Sequence, residues 1–136
     1  MKPDVGIELV RPHQLARDVP YAYAAVAGGA TKLVFTAGAC PLDSAGNVVA
    51  RGDVAGQAEQ VMANLETALQ AAGAELLDVV KTTVYVATRD RNDLVAAWEV
   101  VQRHFGEHDA PSTLLGVAVL GWPDQLVEVE AVAALG

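Results

Sequence analysis

A chain of 136 residues that is 52% hydrophobic and 19% charged has ample material for one core and little room for two, so one domain over residues 1–136 is expected. Its net charge is −8, and nine scattered lysines and arginines give no cationic footprint for releasing counterions from phosphates, which excludes nucleic acid as the main partner. Cys40 is the only cysteine, so an internal disulfide and a cysteine-rich metal centre are excluded too. The first residues, "MKPDVGIELV", lack the apolar core of a signal peptide, and no run reaches the ~18 apolar residues of a membrane span. A cytoplasmic protein with no membrane partner is expected. Its mean hydropathy of +0.27 is high for a small monomer and points to apolar surface hidden between subunits.

In chain order, "GIELV" reads as a short strand. "YAYAAVA" and "LVFTAGA" read as two more, joined by the turn residues of "GGATK". "DSAGN" is a turn, followed by a short strand "VVA". Asp53 is a good N-cap for a helix whose apolar stripe is Val54, Ala58, Val61, Leu65, Ala68, Leu69 and Ala72, and Gly73 closes it. A β-branched strand follows from Val79 to Thr88. A second helix is expected over Asn92–Phe105, with Leu94, Ala97, Trp98, Val101 and Phe105 on one stripe and Gly106 as its stop. "STLLGVAVL" and "LVEVEAVAAL" are the last strands, separated by "GWPD". Two amphipathic helices among strands suit an α+β two-layer sandwich, with both helices on one face of a mixed sheet.

The last strand carries Glu128 and Glu130 two residues apart, so both point to the same side, away from Val127 and Val129. That side would also carry Thr83 and Tyr85, together with apolar surface that a second subunit would cover. Such a carboxylate pair is either a solvated strand face or the lining of a site. Trp98 is expected in the core. His13, His104 and His108 form no metal-ligand pattern, and the latter two are expected at the surface near a helix end; no metal and no cofactor are expected.

Several motifs in order resemble the Rid family, also called YjgF, of enamine/imine deaminases. "LVFTAGACPLD" resembles its FTSGQIPLD signature. "GDVAGQAEQVMANLETALQAAGAELLDVVKTTVYVA" is similar to its helix and following strand, and "FGEH" and "LVEVEAVA" to two further segments. The resemblance covers roughly residues 20 to 134. It implies a chorismate-mutase-like, ferredoxin-like mixed β-sheet backed by two helices, in a homotrimer whose sheets line a barrel. Small-molecule clefts between subunits would hydrolyse reactive enamines or imines to a carbonyl compound and ammonia.

By the same resemblance Glu128 is the catalytic carboxylate that directs water, and Glu130 its structural neighbour. Tyr23 lies near the family's cleft tyrosine, with Tyr21 as competitor. Ala37, Gly38 and Ala39 replace Ser-Gly-Gln, and Gly38 would let a ligand approach the backbone. Cys40 stands where archetypes have an apolar residue and reads as a lone buried thiol. The family's carboxylate-gripping arginine has no counterpart: "DAPSTLLGVAVL" puts Pro111 or Ser112 there, depending on the gap. Substrate contacts are therefore assigned to Tyr23, Gly38, Ala39, Cys40, Pro111 and Ser112. Loss of the clamp favours, as the alternative, a trimer that binds a small ligand without catalysis; ribonuclease activity is disfavoured by the acidic charge.

Overall fold

The computed structural model describes residues 6–136; residues 1–5, part of the stretch read for a signal peptide, lie outside them. Its strands are β1 (Ile7–Val10), β2 (Ala24–Ala27), β3 (Lys32–Phe35), β4 (Val79–Ala87), β5 (Ser112–Val117) and β6 (Val127–Leu135), with helices α1 (Val54–Ala71) and α2 (Arg91–Phe105). A single 3-10 turn, Leu76–Asp78, leads into β4.

α1 begins where the Asp53 carboxylate accepts the Gly56 N–H at 3.0 Å and ends before Gly73, whose φ of +85° a side chain would resist. α2 starts one residue earlier than expected because Asp90, not a later residue, caps it through the Asn92 N–H. The main sheet runs β3-β6-β4-β5, antiparallel except for the β4–β5 pair, whose parallel register is made possible by the α2 crossover.

Both helices lie on one face of this sheet. Val61, Met62, Leu65 and Leu69 of α1 and Ala97, Val100 and Val101 of α2 close over Val84, Val86, Val127, Val129 and Ala133. Each large aliphatic withdrawn from water there contributes about 1.5–3 kcal/mol. Trp98, expected in the core, is only half-buried at its edge. The opposite face remains open to solvent, and Leu33 and Phe35 on β3 are 58% and 70% exposed.

The expected glycine turn joins β2 to β3, but the two strands do not pair with each other: β2 pairs antiparallel with β1, and β3 pairs with β6. Thr31 N–H already donates to the Leu135 carbonyl at 2.9 Å, so the turn delivers β3 to the chain's last strand. The residues "VVA" form no strand, only an isolated bridge between Leu42 and Val48 that closes the turn around Asp43. Asp43 holds that turn by accepting from the N–H groups of Ala45 and Asn47. Among the described residues no helix is long and apolar enough to cross a membrane.

Candidate functional site

Glu128 and Glu130 project from β6 on the face without helices, opposite Tyr85 and Thr83 of β4. On the other flank of β6 the chain after β3 continues the ladder irregularly. Phe35 opposes Val132 and Ala39 opposes Val129, so four steps on one side meet three on the other. The extra residue makes a bulge, and Thr36 fills the interrupted ladder by accepting from Ala131 N–H with its hydroxyl at 3.0 Å.

The bulge brings Gly38 under the Glu128 side chain. A β-carbon on Gly38 would stand 2.4 Å from both Cδ and Oε2 of Glu128, so glycine is required for the carboxylate to lie where it does. The space expected above Gly38 for a ligand is thus filled by the protein's own carboxylate. Beyond it, Cys40 Sγ donates to Glu128 Oε1 at 3.4 Å. Burial, first, and then the bond to Glu128 and its charge push the Cys40 thiol above its ordinary range. Cys40 is therefore half-buried and partnered, unlike the isolated thiol expected. Ala39, between them, turns to the other side and packs on the core.

Three carboxamides that sequence reasoning passed over hold this geometry. Gln125, 4% exposed, donates to Val127 O at 3.1 Å and to Glu128 Oε1 at 3.3 Å, while its Oε1 accepts from Trp122 N–H at 3.1 Å. Gln57, fully buried in α1, donates to Asp124 O at 2.9 Å and accepts from Leu126 N–H at 2.7 Å, tying the loop before β6 to the helix. Asn64 of α1 donates to the carbonyls of Cys40 and Leu42 at 2.8 and 2.9 Å, and so fixes the thiol's backbone. The available signal was a glutamine beside the apolar stripe of the first helix, where an apolar residue would have been simpler.

Glu130 accepts from the Tyr85 hydroxyl at 2.7 Å. That bond, then burial and the two glutamate charges, push the phenol up and keep it a donor. Glu130 is thus a hydrogen-bonding neighbour, engaged at Oε1 by one phenol, whereas Glu128 Oε1 takes two donors, Cys40 and Gln125. Toward the other end of this face, Phe35, Thr36, Lys81, Thr83 and Glu130 line a depression of 210 Å³. Lys81 sits four residues along β4 from the partner of Glu128, about 13 Å away at strand rise, and donates to Thr113 at 2.8 Å.

The remaining predicted residues lie elsewhere. Ser112 pairs with Thr82 and shares its helix-side face, opposite the one carrying Glu128. Its hydroxyl donates to Ala110 O at 3.0 Å, so Thr82 is the donor in their 2.5 Å bond. Pro111 is buried, and its carbonyl accepts from Thr82 N–H. Tyr23 donates its hydroxyl to Ala16 O at 2.8 Å. Tyr21, stacked edge-on against Tyr23, lines instead a 390 Å³ groove with Pro20, Trp98, Ser112, Thr113 and Leu114. Within one chain, then, the structure gathers Gly38, Cys40 and Glu128, and leaves the groove along the edge strand β5, with β4 between it and β6.

The two histidines expected at the surface are structural. His104 is wedged between Glu59 (2.9 Å) and Glu66 (3.5 Å), and His108 bonds Val79 O at 2.7 Å. His104 and Arg103 together hold the Glu59 carboxyl below its usual range.

This fold has relatives. The family model described as Endoribonuclease L-PSP matches residues 12–135. A RutC family protein of Pyrococcus horikoshii is 38% identical over 114 residues, 84% of this chain and 86% of that one. A 2-iminobutanoate/2-iminopropanoate deaminase of Salmonella typhimurium is 37% identical over 103 residues, 74% of this chain and 78% of that one. Among solved structures, the Rid family protein YyfB of Yersinia pestis superposes with a TM-score of 0.88 at 29% identity, covering 95% of this chain and 98% of that one. Escherichia coli TdcF with bound serine gives 0.67 at 30% identity, covering 95% and 99%. The chain belongs to the Rid (YjgF) family.

Proposed function

We propose that this protein hydrolyses small 2-imino acids or their enamine tautomers to a 2-keto acid and ammonia, in the cytoplasm, at clefts completed by neighbouring copies in a homotrimer. The single observation that carries the reading is the Glu128 carboxylate. It lies over Gly38 on an open sheet face, with Oε1 bonded and Oε2 free of any side-chain donor among the described residues. The deaminase relatives support the substrate class.

In this scheme Oε2 takes a proton from water as the hydroxide oxygen attacks C2 of the imine. The proton passes to the nitrogen to give the carbinolamine; the same carboxylate then carries the carbinolamine's hydroxyl proton to the nitrogen as the C–N bond breaks, giving the ketone and ammonia. No metal or cofactor is called for. Gly38 and Cys40 flank the carboxylate. Tyr21 and Ser112 belong to the groove along the outer strand β5, and Pro111 directly precedes that strand, so these residues would meet substrate at Glu128 only in a cleft shared with another copy. Exposed Leu33 and Phe35 support such a contact. Light scattering at micromolar concentration should give about three times the 14.2 kDa chain mass; a monomer refutes the shared cleft.

The deciding assay is ammonia release from 2-iminobutanoate and 2-iminopropanoate generated in situ, with wild type and Glu128→Gln. A wild-type rate indistinguishable from buffer, or from Glu128→Gln, overturns the hydrolytic reading. A second reading, a trimer that binds a small ligand without turnover, is favoured by one observation. The expected site of the carboxylate-gripping arginine holds a buried proline and a serine locked to Thr82. Ligand binding without ammonia release would select it. The net charge of −8 argues against RNA as substrate.

A further inference from the structure

We propose that Gln125 is the positioning residue for Glu128, holding Oε1 so that Oε2 alone is presented to water; the inference rests on the hydrolytic reading above. Gln125 belongs to a loop whose neighbours Trp122, Pro123 and Asp124 are exposed, yet its own side chain is 4% exposed. A carboxamide is withdrawn from water at a cost unless its donors and acceptor are all used.

Here they are, and in one orientation only. The Trp122 N–H can only donate, so the amide atom 3.1 Å from it is the oxygen. The amide nitrogen then faces two oxygens that accept from it, Val127 O at 3.1 Å and Glu128 Oε1 at 3.3 Å. Turning the amide over would set donor against donor and oxygen against oxygens at all three contacts. The backbone thus dictates which end of Gln125 meets Glu128.

The other carboxylate oxygen is differently placed. Cys40 shares Oε1 with Gln125, whereas Oε2 stands over the bare α-carbon of Gly38. The loop cannot drift, because Gln57 grips it on both sides of Gln125, at Asp124 O and Leu126 N–H. Without the Gln125 donor only the weak S–H bond from Cys40 marks Oε1, too little to stop the carboxylate rotating about its broad terminal torsion, so the two oxygens interchange and the water-facing one is no longer defined.

The experiment uses the full chain and compares Gln125→Met, which keeps length without a donor, with Gln125→Glu, which keeps the acceptor for Trp122. Each is made in wild-type and Glu128→Gln backgrounds, with ammonia release from generated 2-iminobutanoate as the rate. Both single variants should lose kcat roughly tenfold or more with KM changed by less than about twofold, the pattern of a displaced reacting group. In the Glu128→Gln background neither should lower the residual rate further. In ¹⁵N spectra the Gln125 side-chain amide, assigned by its loss in Gln125→Met, should shift in Glu128→Gln.

Wild-type kcat in Gln125→Met while Glu128→Gln is inactive overturns the proposal. So does an equal loss in both backgrounds, which marks a structural role, or an amide signal indifferent to Glu128→Gln. If Glu128→Gln itself keeps the wild-type rate, the hydrolytic reading has failed instead, and the amide signal alone decides whether Gln125 holds Glu128.

Discussion

Adding one methyl group at Gly38 separates the carboxylate's placement from the stability of the fold. In Gly38→Ala the new β-carbon would meet Cδ and Oε2 of Glu128 at 2.4 Å and Cγ at 2.7 Å. Ordinary contacts are about 3.5 Å, so the carboxylate must retreat by about 1 Å. Backbone strain does not enter, since Gly38 is not among the glycines of positive φ. The retreat stretches without breaking the bonds from Gln125 and Cys40, so that of the roughly 1.5–3 kcal/mol a bond to a carboxylate contributes, about 1 kcal/mol each is lost. Alanine returns about 0.4–1 kcal/mol by restricting the unfolded chain. The net loss is about 1 kcal/mol, roughly 4 °C in melting temperature for a chain of this size. A 1 Å displacement of a reacting group lowers kcat by about a hundredfold. Ammonia release and a melting curve on the same preparation test both numbers. Wild-type kcat in a folded Gly38→Ala protein would refute the placement of Glu128 over Gly38, and a fall beyond about 10 °C would show that something less yielding than a side chain occupies that space.

Gly116→Ala is the contrasting case: its β-carbon would strike the Thr88 backbone carbonyl at 2.6 Å, so the end of β5 must move, and urea unfolding should show a loss of about 1–3 kcal/mol; unchanged stability would mean that the strand end slides freely. Glu128→Gln should accelerate alkylation of Cys40 by iodoacetamide near pH 8 severalfold, because two of the influences holding the thiol up come from that carboxylate; an unchanged rate would refute the contact. For Tyr85 the folded phenol lies above its ordinary value, so its contribution is complete below pH ~10 and is lost as pH rises toward the folded value. Stability measured from pH 8 to 11 should therefore fall more steeply in wild type than in Tyr85→Phe, and parallel slopes would refute the bond to Glu130. Ser112→Arg should cost about 1–3 kcal/mol, since it removes the acceptor of a fully buried Thr82 hydroxyl; a chain as stable as wild type would show that this hydroxyl finds another partner.

Helices and long strands were legible to within a residue or two because their signals are local. Asp53, Gly73 and Gly106 are end signals that act through their own few residues, and the alternation along β4 and β6 needs only a buried face on one side. The pairing of β2 with β1 was not legible, because a glycine turn says that the chain reverses without saying which edge it will meet. The carboxylate on β6 was visible from periodicity and family resemblance together. Its surroundings were not: Gln125 is three residues away, but the bulge that puts Gly38 beneath Glu128 arises from a register slip between segments some ninety residues apart. Which face of the sheet Ser112 would lie on, and that Trp98 would sit at the edge of the core, were not legible for the same reason. A stripe or a motif gives a position along the chain, and only the assembled sheet decides which side of it a side chain serves.

The loops that flank Glu128 are fastened by Gln57, Asn64 and Gln125, none of which gains or loses a proton in water at any pH the fold would survive. Ion pairs could have fastened the same loops, but they would have loosened in salt and in acid, and would have added fixed charges beside the carboxylate. With uncharged amides the frame keeps one shape while the Cys40 thiol and the Tyr85 phenol lose their protons inside it as pH rises. Salt and acidity can then alter the charge state of this part of the molecule without altering its geometry.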